Sequence, residues 1–100
     1  MSRRIAFLAA EFSNQWDKSY EDLPANKQAE TDAVVLALLK SQPTPGVRVK
    51  PIQPDKHYNE ARINSGDRVV YRAVEGVCRF VDIVTHDLIN KYGRRPKLRE

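Results

Sequence analysis

"INSGDRVVYRAVEGVCRFVDIVTHDLINKY", Ile63 to Tyr92, is the stretch on which the fold turns. Two alternating runs, roughly 68–75 and 77–84, flank Glu75-Gly76, and a two-residue connection of that kind closes an antiparallel hairpin. Ser65-Gly66-Asp67 marks another tight turn just upstream, which makes the run at roughly 57–63 a third strand. Three strands joined by tight turns form a meander. "VRVKPIQP", ending at Pro54, also alternates but carries prolines, which confine it to an edge strand or an extended loop.

Upstream of the meander the period changes. "SNQWDKSYEDLPANKQAETDAVVLALLKSQ" reads as helical, with Ser13 or Asn14 as N-cap and Pro24 interrupting the helix or opening a second one. In the second helix Ala29, Ala33, Val34, Leu36, Ala37 and Leu38 form a broad apolar stripe, with Lys27, Glu30 and Asp32 toward water. The expected product is a helical hairpin, stopped by Pro43, Pro45 and Gly46. Residues 4–10, "RIAFLAA", read as a short strand buried on both faces. Trp16 and Phe12 read as packing for the first helix, and "HDLINKY" as a last helical turn or two before a basic tail. The predicted class is α+β: an N-terminal strand and a helical hairpin packed on a three- to four-stranded antiparallel sheet. The second sheet face must then be solvent-exposed or functional.

Bulk properties narrow the function. One hundred residues, 1–100, make a single domain with one modest core. Lys+Arg at 17 against Asp+Glu at 13 gives +4 and a pI near 9.4, which favours polyanionic or acidic partners. Cys78 is the only cysteine, so no internal disulfide framework exists, and its apolar strand neighbours mark it as a buried structural thiol. The apolar run after Arg3-Arg4 is only six residues, short of a signal-peptide core or a membrane span, and reads as the first strand of a cytoplasmic protein.

Arginine dominates the candidate chemistry. Arg62, Arg68, Arg72 and Arg79, with Arg94, Arg95, Lys97 and Arg99 in the tail, read as an electropositive surface; Lys56 and Lys91 add to it. The planar guanidinium fork donates two hydrogen bonds at once to a phosphate, and such contacts position a nucleic acid without reading its sequence. The competing reading is a solvated strand face balanced by Asp67, Asp82 and Asp87. The alternation does not separate either strand into core and solvent faces. Cleaving RNA requires deprotonation of a ribose 2′-hydroxyl, stabilisation of a phosphorane-like charge and protonation of the leaving 5′-oxygen. His86, an arginine and Tyr92 suit that division of work. Equally, His86 suits the start of a short helix and Tyr92 a core anchor. His57 stands alone beside Tyr58, and no CxxC, HExxH, glycine-rich phosphate loop or GxSxG elbow occurs, so the sequence suggests no metal site.

The segment "HYNEARINSGDRVVYRAVEGVCRFVDIVTHDLINKY" resembles the C-terminal half of the RelE/ParE superfamily of toxins from bacterial toxin–antitoxin pairs. Gly66-Asp67-Arg68-Val69-Val70-Tyr71 fits that family's Gly-x-Arg-x-Val-Tyr core; His86 falls where RelE-like toxins carry a basic residue, and Tyr92 where they carry a functional tyrosine. The preceding strand and helices match the family's order more loosely. The resemblance implies a ribosome-dependent mRNA endonuclease of the cytoplasm, needing neither metal nor cofactor, with no membrane association, and neutralised by a cognate antitoxin. It makes Arg68 the stabiliser of the transition-state phosphate and His86 a general acid or base. Tyr92 would position or stack on the substrate, or assist proton transfer. Where relatives often carry lysines, this chain has Asn59 and Ala61, with Glu60 between them as a substitute base and Lys56 and Arg62 nearby as positive charge. Two other outcomes share the fold. ParE-like members poison DNA gyrase and lack the histidine–tyrosine arrangement, and an inactive toxin-fold protein would serve only as a binding partner.

Overall fold

A computed structural model describes residues 9–40, 49–52 and 58–89. The order is strand β1 (Ala9–Phe12), helices α1 (Asn14–Glu21) and α2 (Ala25–Leu39), then strands β2 (Lys50–Pro51), β3 (Asn59–Arg62), β4 (Asp67–Val74) and β5 (Val77–Thr85). A 3₁₀ turn, His86–Leu88, follows β5 directly. The stop signals at 43–46 and the basic tail lie outside the described residues, as do residues 4–8 of the predicted first strand.

The sheet has five strands in the order β1-β5-β4-β3-β2, one more than the upper expectation, and it is mixed. The meander is as predicted: β2 to β5 pair antiparallel in succession. The addition is β1, which runs parallel to β5 with Ala9 opposite Val77 and Phe12 opposite Phe80. A parallel pair needs a long crossover, and here the two helices and the whole meander provide it. Because β1 forms an edge, all four of its residues are exposed rather than buried on both faces.

Local chemistry explains the boundaries. Ser13 is the N-cap of α1: its Oγ accepts from Trp16 N at 3.0 Å and donates to Val81 O at 2.6 Å. A cap of this kind contributes about 1 kcal/mol, and this one also fastens the helix to the sheet. Pro24 caps α2, where its missing N–H costs nothing. Gln28 Nε2 donates to Tyr20 O at 2.9 Å and Tyr20 Oη to Asp32 Oδ1 at 2.9 Å, tying the end of α1 to the first half of α2. That bond and the Asp32 charge raise the Tyr20 phenol above its usual pKa. Glu75 and Gly76 both adopt positive φ, 49° and 85°, the primed turn that a twisted hairpin demands.

The core is double. Trp16, Val34, Leu38, Ala61, Val69, Tyr71, Cys78, Phe80 and Ile83 form the cluster between the helices and the sheet. The α2 stripe is narrower than its sequence suggests: Thr31, Val34 and Leu38 are buried, whereas Ala29, Ala33 and Leu36 are exposed. On the opposite sheet face Ile52, Tyr58, Val70, Val81, Val84 and Ile89 form a second apolar cluster, so the middle of that face is neither solvated nor free for chemistry.

The alternation was unreadable in β5 because of a bulge. Val70 opposes Asp82 while Tyr71 opposes Phe80, leaving Val81 as the extra residue. Beyond it the pattern is reset, so Ile83 joins Cys78 and Phe80 on the helix side and Val84 joins Val81 on the other. Asp82 is buried, not a balancing surface charge: its Oδ1 accepts from Ser19 Oγ at 2.6 Å and Ile83 N at 2.7 Å, pinning the bulge to α1.

Cys78 is fully buried, as expected. Burial pushes its thiol up to about 12. Tyr71 is also pushed up to about 12, by burial first and the nearby Cys78 second. Both are acids held protonated by the fold, so above pH 9.0, the ordinary thiol value, the unfolded chain releases protons that the folded chain retains. Stability is therefore fully present below that pH and falls as pH rises toward about 12. Urea unfolding at about pH 8 and about pH 10.5 should show this loss, and Cys78→Ala should reduce its size. An equal loss in the variant would remove Cys78 from the account.

Candidate active site

The site forms where the β3–β4 turn meets the end of β5. Asn64 builds the turn: its Oδ1 accepts from Gly66 N and Asp67 N, each at 2.9 Å. An asparagine side chain standing in for backbone is a common turn device. Asn64 Nδ2 donates to Glu30 Oε1 and Asp67 Oδ2, each at 3.0 Å, and Lys27 Nζ lies 3.3 Å from Asp67 Oδ2. Helix α2 therefore holds the turn from outside, with Lys27 bridging to Asp67 while its side chain, 44% exposed, still faces water as expected. Gly66 O accepts from His86 N at 2.8 Å, which fixes the start of the 3₁₀ turn against the same loop. A Cβ on Gly66 would meet Asn64 Oδ1 at 3.8 Å, an ordinary contact. A recess of about 590 Å³ is lined by Lys27, the 64–67 turn, Thr85, His86 and Asp87.

Arg68 is the centre. Its Nη1 donates to the carbonyls of Asn64 at 2.8 Å, Asp67 at 3.0 Å and Ser65 at 3.3 Å. Its Nε lies 3.5 Å from Glu60 Oε1, with side chains only 12% and 7% exposed, and its Nη2 lies 3.4 Å from His86 Nδ1. A guanidinium has only donors, so a hydrogen bond in this contact requires His86 Nδ1 to accept. The imidazole itself is exposed. Three predicted residues, Glu60, Arg68 and His86, are thus brought together although 26 positions separate the outer two.

Glu60, suggested from the sequence as a substitute base, is the direct ion-pair partner of Arg68. Arg62 is opposite Arg68 in the sheet and lines a pocket of about 110 Å³ with Lys50, Glu60 and Arg68. Arg72 and Arg79, also mutually opposite, share this sheet face but lie four residues along β4, about 13 Å away at strand spacing. Arg79 Nη1 pairs with Glu11 Oε1 at 2.8 Å. The predicted arginines therefore form two pairs at opposite ends of the sheet, with the second apolar cluster on the same face as both, and not one continuous groove. Asp67, one of the suggested balancing charges, is engaged with Lys27. Lys56, Lys91, Tyr92, Arg94 and Arg95 lie outside the described residues. Among the described residues no group of three or more His, Cys, Asp or Glu side chains could hold a metal ion.

Sequence reasoning missed two residues. Asn64 was legible, since Asn before Ser-Gly-Asp is a turn signature. Lys50 was not, because its place depends on the pairing of a two-residue strand.

This backbone has close counterparts. A copper-bound mutant toxin from Helicobacter pylori superposes with a TM-score of 0.70 at 19% identity, covering 81% of this chain and 97% of that one. The toxin–antitoxin complex DinJ–YafQ of E. coli gives 0.64 at 21% identity, covering 87% and 96%. The toxin–antitoxin complex RelBE2 of Mycobacterium tuberculosis gives 0.62 at 16% identity, covering 78% and 96%. The chain has the RelE-like toxin fold. No family model and no curated protein matches the sequence. The RelE-like fold is therefore carried here by the pairing pattern and the packed helices, at identities that show architecture alone.

Proposed function

We propose that this chain is the toxin of a type II toxin–antitoxin pair and acts as a ribosome-dependent mRNA endonuclease, neutralised by a cognate antitoxin. The observation that carries the reading is the Arg68 guanidinium, held by three carbonyls and Glu60 with its Nη2 directed at His86 Nδ1. The solved RelE-like structures support the toxin role, two of them as complexes with an antitoxin.

In this reading the arginine receives the scissile phosphate. As Nη2 turns to a phosphate oxygen, it releases the lone pair of His86 Nδ1, which then takes the proton of the adjacent ribose 2′-hydroxyl. The 2′-oxygen attacks phosphorus, the bond to the 5′-oxygen breaks, and Arg68 stabilises the charge that accumulates on the equatorial oxygens. Glu60 acts on Arg68, fixing its orientation. Tyr92 stacks on the substrate or assists the transfer of a proton to the leaving 5′-oxygen. Because the histidine and arginine are linked before substrate arrives, phosphate binding and base activation are one event.

The test is 5′-end mapping of cellular mRNA after brief induction, beside an uninduced culture. New ends within translated codons are the expected result. Growth arrest with intact mRNA would transfer the chain to gyrase poisoning, and absence of arrest would leave a binding protein without toxicity.

A further inference from the structure

The pocket of about 110 Å³ beside Arg68 has an unusual charge balance. Among the described residues its lining is Lys50, Glu60, Arg62 and Arg68, three cations against one carboxylate. The register makes these two cross-strand pairs: Lys50 opposite Glu60, and Arg62 opposite Arg68. Like charges directly opposite in a sheet repel, so the arginine pair costs stability unless an anion lies between its members. Among the described residues the only carboxylate of the pocket is engaged: Glu60 Oε1 is 3.5 Å from Arg68 Nε. Among the described residues neither Lys50 nor Arg62 has a hydrogen-bond or ion-pair partner. Two uncompensated cations thus converge on a cavity of about the size of one phosphate group, next to the arginine that receives the scissile phosphate.

We propose that this pocket is a second phosphate subsite, in which Lys50 and Arg62 grip the phosphodiester adjacent to the one that is cut. Arg62 supplies the fork and Lys50 a point charge. Arg68 is shared by both subsites, so an RNA strand bound here has its scissile phosphate delivered toward His86. Lys50 thereby gains a role in binding and register, with no part in proton transfer. The choice of RNA rests on the cleavage reading, but cleavage is not needed to test it.

The probe is a single-stranded RNA hexamer fully 2′-O-methylated, which keeps the phosphates and removes the nucleophile. Binding is followed as a function of salt, together with the side-chain N–H resonances of Lys50 and Arg62. Both signals should move in the titration. Lys50→Ala should weaken binding about three- to tenfold and lower the log–log salt slope by about 0.7, the loss of one phosphate contact on a single strand. Lys50 is exposed, so the variant should fold normally, and Arg62→Lys offers a second test, in which charge survives and the fork is lost. An unchanged salt slope in Lys50→Ala, or still signals at both side chains, overturns the proposal. So does equal displacement by a hexamer of glutamate, which would assign the pocket to a carboxylate-bearing protein partner. If hexamer binding behaves as stated while no cellular cleavage is found, the subsite stands and the nuclease reading falls.

Discussion

Arg68→Ala should lower the rate of mRNA cleavage on ribosomes about 10²- to 10³-fold, the usual cost of removing one preorganised donor to a developing charge. It should also destabilise the fold, for a separate reason. Glu60 is only 6% exposed, and Arg68 is its ion-pair partner. A buried acceptor stripped of its partner costs about 1–3 kcal/mol. Lys50 and Arg62 line the same pocket and offset part of that cost, so the lower half of the range is expected. The two effects separate in Arg68→Ala/Glu60→Gln, where the stranded charge is gone: urea unfolding should recover while cleavage should not. Recovery of cleavage along with stability would mean that Arg68 serves folding alone, and the proposed mechanism would be lost.

His86→Ala should remove about 10²- to 10⁴-fold of the cleavage rate, the range of a positioned acid or base. Its effect on stability should stay within about 0.5 kcal/mol, because the imidazole is exposed and the link to Gly66 O uses the backbone N–H. The contrast with Arg68 is diagnostic: one variant loses activity and stability, the other activity alone. Groups acting as a unit are not additive, so Arg68→Ala/His86→Ala should cleave little worse than the poorer single variant. Fully multiplied losses would show that the two residues act in separate steps. Single-turnover cleavage by purified protein on programmed ribosomes would measure all three. Cleavage by His86→Ala within threefold of the parent chain would discard the general-base assignment.

The meander was legible because its turns announce themselves. Glu75-Gly76 and Ser65-Gly66-Asp67 are local chemistry, and a turn of known length sets the register of its two strands. The helix boundaries were legible for the same reason, through Ser13 and Pro24. The burial of β5 was not, since a bulge at Val81 shifts every later side chain to the other face and leaves no composition signal. Within the site, Arg68 could be named from the Gly-x-Arg pattern and His86 from its place in the resemblance, where RelE-like toxins carry a basic residue. That Glu60 would sit behind Arg68, and that Arg72 and Arg79 would fall at the other end of the sheet, required the register.

Local stretches of this chain thus determine its turns, its caps and the β3-β4-β5 meander, because each depends on residues within a few positions of one another. Membership of β1 in the sheet, the division of the core into two faces and the joining of Glu60, Arg68 and His86 were decided only by tertiary structure. Each of those depends on contacts across long loops, from Ala9 to Val77 or from Glu60 to His86, and is settled by which apolar faces can be buried together.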